Sequence, residues 1–160
     1  MTLDNKKTAL NFQLRRLLIL FLVSMVIIFF YNTDYLREPF LGVSRGAYTI
    51  ILIGLYLLYY MTGIVRNYNY FFFSDNGLKL IFRFYSLRPL SKRQSSIEID
   101  KPNFISYSIK KPAFGFFKKL YLSQRMPNGT IATYPPVSIS LLKKSAIAKL
   151  EQSLKSFSKG

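Results

Sequence analysis

The chain has 160 residues, half of them apolar and 17% aromatic, with 23 Lys and Arg against 7 Asp and Glu for a net charge of +16. It contains neither cysteine nor histidine, which excludes a disulfide framework, a thiol nucleophile and a thiolate zinc site, and removes the commonest general base. So much aliphatic surface beside so positive a charge fits a membrane protein with basic cytoplasmic parts.

Residues 1–16 read as a basic N-terminal tail, with Lys6, Lys7, Arg15 and Arg16 against Asp4. Residues 17–33 then carry no charge, and 17–31 read LLILFLVSMVIIFFY, interrupted only by Ser24. A lone serine bonds back to its own helix, and flanking arginines snorkel, so the segment is expected to span the bilayer. A cleaved signal peptide is not expected, because no small-residue cleavage site follows the bulky FFY.

A loop at 34–46 leads to a second span at 47–66, where AYTIILIGLYLLYYMTGIV is bounded by Arg45 and Arg66. Tyr48, Tyr59 and Tyr60 are suited to its interfaces. The link NTDYLREPFLGVSR is neutral, whereas from Arg66 onward the chain carries 17 Lys and Arg, Arg66 included, against four acids. The positive-inside rule therefore predicts a hairpin in an inner (plasma) membrane with both termini cytoplasmic.

Residues 67–160 are enough for one small domain, and their pattern is mostly strand. Residues 68–73 are aromatic-rich and precede the turn Ser74-Asp75-Asn76-Gly77. LKLIFRFYSL then alternates, with Leu78, Leu80, Phe82 and Phe84 on one face and Lys79, Arg83 and Tyr85 on the other. The Arg88-Pro89 step breaks the run. SIEID, NFISYSIK, KKLYLSQR and TIATYPPVSI follow as short strands, with turns at 112–115 and at Met126-Pro127-Asn128-Gly129. Such spacing predicts a small antiparallel sheet curled on itself.

At the C-terminus the period changes. Leu142, Ala146, Ile147, Leu150, Leu154 and Phe157 recur at helical steps, giving an amphipathic helix at about 141–157. Ser138 or Ser140 is placed to cap it. It is expected to plug the curled sheet; the alternative is a helix lying on the membrane surface. YFFFSDNGLKLIF, SIEID with FISYSIK, and KKLYLSQRMPNGTIATYPPVSIS running into the helix give this layout. After a membrane hairpin, it resembles the bacterial pleckstrin-homology-like (PH-like) membrane proteins. The likeness runs from about residue 68 to the end and is one of layout; the Trp that some members carry in the middle strands is absent. It implies an α+β membrane protein whose domain binds or scaffolds, without a catalytic signature.

The chemistry agrees with that expectation. Glu98 and Asp100 share a strand face, but two carboxylates without histidine make a poor metal site, and pairing with a base such as Lys101 is expected instead. No glycine-rich phosphate loop occurs; no catalytic residue, metal or cofactor is expected. The better lead is four basic doublets, Lys92-Arg93, Lys110-Lys111, Lys118-Lys119 and Lys143-Lys144, all at strand ends, turns or the helix start. They point to a lipid- or partner-binding surface, against the plain alternative of solvated loops. FRFYSLR has an aromatic-basic texture that suits base stacking, but alternation turns Phe82 and Phe84 to the core, so nucleic acid is not the expected partner. The function expected is a non-catalytic, membrane-anchored accessory protein that docks a protein partner or membrane complex. The alternative is a module for anionic lipid headgroups.

Overall fold

The computed structural model describes residues 1–33, 43–88, 91, 93–112 and 116–158. In chain order the elements are β1 (Thr2–Asp4), α1 (Lys6–Asn32), α2 (Arg45–Val65), β2 (Asn69–Ser74), β3 (Lys79–Ser86), β4 (Gln94–Asp100), a 3-10 turn (Lys101–Asn103), β5 (Phe104–Lys110), β6 (Lys119–Arg125), β7 (Ile131–Thr133), β8 (Val137–Ser138) and α3 (Lys144–Phe157). The chain divides into two units. One holds residues 11–65; the other joins Met1–Leu10 to the chain from Arg66 onward.

The helical unit is apolar and exposed. At about 1.5 Å per residue, the 21 residues of α2 rise about 31 Å, close to the ~30 Å of a bilayer core; the 27 residues of α1 exceed it. Both helices are long and apolar enough to cross a membrane. Several of their hydroxyls bond back to the helix backbone. Ser24 Oγ donates to the Leu20 carbonyl at 2.9 Å, Thr33 Oγ1 to Phe29 at 2.8 Å and Thr49 Oγ1 to Arg45 at 3.0 Å, leaving no hydroxyl of these three to seek water. The helices run antiparallel. The Arg16 guanidinium lies 4.1 Å from the Tyr60 ring centroid, and Phe30 meets Tyr48 edge-on at 6.3 Å. Gly63 is the close approach, where an added Cβ would stand 3.1 Å from Phe12 Cζ. No such approach occurs at Gly54.

The second unit contains two antiparallel sheets rather than one curled sheet. The first has the order β1-β2-β3-β4; in the second, β5, β6 and β7 follow in order and β8 pairs with β6. No closed barrel forms among the described residues. The division falls at Lys101-Pro102-Asn103, where the proline, lacking an N–H, sits in the 3-10 turn and β5 leaves without pairing to β4.

Residues 1–16, read from sequence as a tail, hold β1 and the first turns of α1. Thr2, Leu3 and Asp4 pair with Ser74, Phe73 and Phe72, and Leu3 is buried in the core. Asn5 fastens the same join: its Nδ2 donates to the Asn69 carbonyl at 3.2 Å, and its Oδ1 accepts the Phe71 N–H at 2.9 Å. Asp4 accepts the Lys6 N–H at 2.6 Å as α1 begins. On the outer face Tyr70 stacks on Tyr85 at 4.6 Å. Burial, then the charge and hydrogen bond of Asp4, push the Tyr70 hydroxyl up to about 12.

The core is shared by both sheets and α3. Phe71, Phe73, Leu80, Phe82 and Ile99 from the first sheet meet Phe104, Leu120, Leu122 and Val137 from the second, under Leu142, Ile147, Leu150 and Leu154. The apolar stripe of α3 is therefore packed inside the domain. The alternation of β3 holds for Leu80, Phe82 and Phe84. It fails at Leu78, which is 86% exposed, because that residue still belongs to the turn. The start of α3 is also later than the sequence suggests. Ile139 and Ser140 are engaged with Lys118 through the bonds Ile139 N to Lys118 O at 2.9 Å and Lys118 N to Ser140 Oγ at 3.0 Å. Lys143 occupies the cap position with no side-chain cap bond.

Candidate functional site

Strand direction places the basic doublets. The start of β2, the end of β3 and the start of β4 lie at one end of the first sheet, since Asn69 pairs with Ser86 and Tyr85 with Gln94. The Leu87 N–H closes onto the Tyr68 carbonyl at 2.9 Å. Arg93, one residue before β4 and exposed, sits at this end beside the point where the chain leaves α2; Lys92 lies outside the described residues.

The second sheet brings two more doublets together. Lys110 ends β5 and stands opposite Lys119, which begins β6. Lys111 and Lys118 are the next residues outward. Two like charges directly opposite on adjacent strands destabilise a sheet. Lys110 finds a ring instead of an anion, its Nζ 5.2 Å from the Tyr121 centroid. The third pair, Lys143-Lys144, is held close through Ser140, which binds the Lys118 backbone, and through the Leu142 N–H to Ile139 carbonyl bond of 3.0 Å. Lys110, Lys111, Lys119, Lys143 and Lys144 are exposed and Lys118 half-buried. Among the described residues no carboxylate lies within ion-pair distance of these six.

Arg66 joins the two sheets at this same end. Its Nη1 donates to the Tyr68 hydroxyl at 2.9 Å, and its guanidinium sits 5.4 Å from the ring of Phe116, in the β5–β6 loop. Phe116 is 58% exposed. Comparison with protein-family models, curated proteins and solved structures finds no match. What the site does must be read from its geometry.

The opposite end of the domain is electrically balanced. Glu98 faces Lys79 at 3.9 Å, both half exposed, and Asp100 stands opposite Lys79 in the register. The cation near Glu98 is thus Lys79 across the strand, not Lys101. Lys101 lies over the Phe157 ring at 4.6 Å. Asp75 accepts from Ser153 Oγ at 2.7 Å and from the α-amino group of Met1. Burial pushes its carboxyl up, but these two hydrogen bonds and the charges of the amino group and Lys101 outweigh burial and hold it below the usual carboxylate value. Among the described residues, the six lysines have no carboxylate within ion-pair distance, whereas Lys79 at the other end faces Glu98.

Sequence reasoning missed Arg66 and Phe116. The signal for the second is the near-symmetry of KKPAFGFFKK, an aromatic tip between two lysine doublets. It also passed over several serine spacings. GVSRG at 42–46 has the form GxSxG, and SIKK at 108–111, SLLK at 140–143 and SFSK at 156–159 have the form SxxK. In the fold Ser44 Oγ accepts the Ala47 N–H at 3.4 Å as α2 begins, and Ser140 Oγ is engaged with Lys118. Neither serine has a histidine available anywhere in the chain.

Proposed function

We propose that the chain is a non-catalytic, membrane-anchored accessory protein whose PH-like domain rests its basic end on anionic lipid headgroups. The observation that carries this reading is the convergence of Arg93, Lys110, Lys111, Lys118, Lys119, Lys143 and Lys144 at the end where the chain leaves α2. Bases near an anionic leaflet each contribute on the order of 1 kcal/mol. A tethered domain needs little more, because the hairpin supplies a high effective concentration at the surface.

Two sheets and a C-terminal helix over one core support the PH-like assignment. Both helices crossing an inner membrane, with N- and C-termini in the cytoplasm, is supported by charge bias and by β1 pairing with β2, which keeps residues 2–4 and 72–74 together. Docking of a protein partner would be favoured by an apolar groove. Two broad hollows among the described residues are mixed in lining, with Asp4, Asp75, Lys149 and Ser153 beside Met1, Leu3 and Ala146 in one and Lys6, Arg83 and Gln94 beside Tyr70 and Phe84 in the other.

The test is lysine footprinting of the full chain in nanodiscs with an amine-acylating reagent read by mass spectrometry. With about a third of the lipid anionic, the doublets should be protected at low salt and lose protection as salt rises, since the Debye length is about 8 Å at physiological ionic strength. Equal labelling in neutral and anionic discs would overturn the proposal.

A further inference from the structure

Two bases and two tyrosines meet on the outer face of the first sheet. The residues that alternate with the core side chains Phe71, Phe73 and Phe82 point away from the core, and register sorts them into cross-strand rows. Tyr70, Tyr85 and Gln94 form one row; Phe72, Arg83 and Ser96 form the next. Asp4 stands opposite Phe72, so Lys6, two residues on, comes beside Tyr70. Lys6, Tyr70, Arg83, Tyr85, Gln94 and Ser96 line one hollow of about 470 Å³, within the ~300–1,000 Å³ of small-molecule sites. All six belong to the sheet unit.

A stacked cross-strand pair alone is ordinary sheet packing, and solvated bases alone are ordinary surface. Here they share a cavity. Tyr70 and Tyr85 stack at 4.6 Å with 24° between their planes, a π surface that a further flat ring would extend. Among the described residues neither Lys6 nor Arg83, both exposed, has a carboxylate within ion-pair distance. The nearby acid, Asp4, is engaged with the Lys6 N–H at 2.6 Å and with the Tyr70 hydroxyl. A guanidinium suits the oxygens of a phosphate, which it binds by two parallel hydrogen bonds. Arg83 and Tyr85 are two residues apart on one strand, about 7 Å, a separation that a sugar bridges when it joins a ring to a phosphate.

We infer that this hollow binds a nucleoside phosphate, its base laid against the Tyr70–Tyr85 stack and its phosphate held by Arg83 and Lys6. Gln94 and Ser96 supply an amide and a hydroxyl for the polar edge of the base or sugar. None of these residues belongs to the basic doublets, so the inference stands independently of the headgroup reading.

The test is titration calorimetry of the full chain in zwitterionic micelles with AMP, adenosine and ribose 5-phosphate. AMP should bind roughly tenfold or more tightly than either half, since stacking and phosphate contacts each contribute. Arg83→Gln and Tyr85→Ala should each weaken AMP by about tenfold. Tyr85→Phe, which keeps the ring, should bind as the parent does, and circular dichroism separates lost binding from a lost fold. A short oligoadenylate that competes no better than AMP assigns a free nucleotide; tighter competition that Arg83→Gln abolishes assigns a single strand as the source of the same chemistry. Ribose 5-phosphate binding as tightly as AMP would reduce the site to surface charge and overturn the inference. So would folded Arg83→Gln and Tyr85→Ala variants that bind AMP like the parent, or no binding of AMP at millimolar concentration.

Discussion

Leu150 offers the sharpest test of how α3 is held. It is fully buried, with Leu120, Leu122, Leu142 and Leu154 in the same core. Leu150→Ala removes three carbons, about 2.4 kcal/mol at roughly 0.8 kcal/mol each. The core that surrounds it is drawn from both sheets, so it cannot close on the space without moving two layers. The cavity term then raises the total to about 3–5 kcal/mol. The neighbouring Lys149 is exposed, and Lys149→Ala should change stability by less than about 0.5 kcal/mol. The assay is urea unfolding of the full chain in mild detergent, followed by tyrosine fluorescence, since the protein has 12 tyrosines and no tryptophan. The full chain is required because a fragment starting at Asn67 lacks β1. With a slope of ~1–3 kcal/mol per molar, the midpoint should fall by about 1–5 M for Leu150→Ala. Equal midpoints for Leu150→Ala and Lys149→Ala would refute the packing of α3 on the sheets.

Leu3→Asp should destabilise the domain by several kcal/mol, because it places an unpaired carboxylate in the core; the same urea titration checks it. Asp75→Asn should destabilise near neutrality. Because the folded carboxyl is held below its ordinary value, its contribution is complete above the unfolded value of about 3.9 and fades as pH falls through the folded one, so the gap between parent and variant should narrow below about pH 4. Reporter fusions after Ser158 should read cytoplasm and one at Glu38 the outer side; a cytoplasmic Glu38 would refute the charge-bias argument.

Much of the architecture was legible in periodicity. β3 announces itself through Leu80, Phe82 and Phe84, and α3 through Ile147, Leu150 and Leu154, because each buries a face against a shared core. β1 could not be found this way. Three residues, TLD, carry no period, and their partner lies some 70 residues away. The division into two sheets turns on one proline-bearing turn, which local pattern reads only as another break between strands. The basic doublets were each visible, but their convergence depends on the register of Lys110 with Lys119 and on Ser140 reaching Lys118. Pairwise distances of that kind are written in the fold and not in the spacing.

The pairing of β1 with β2 has a consequence for how the protein is made. The strand synthesised first finds its partner only after both apolar helices have been translated. With those helices in a bilayer, β1 reaches β2 only when an even number of them has crossed. A chain in which one helix failed to insert would strand Leu3 on the far side of the membrane and leave the β2 edge bare, a row of unpaired N–H and C=O groups of the kind that invites aggregation. Such chains would populate an open state that proteases remove. On the proposed topology, a fully inserted hairpin would therefore leave the β2 edge covered by β1, whereas a half-inserted one would not.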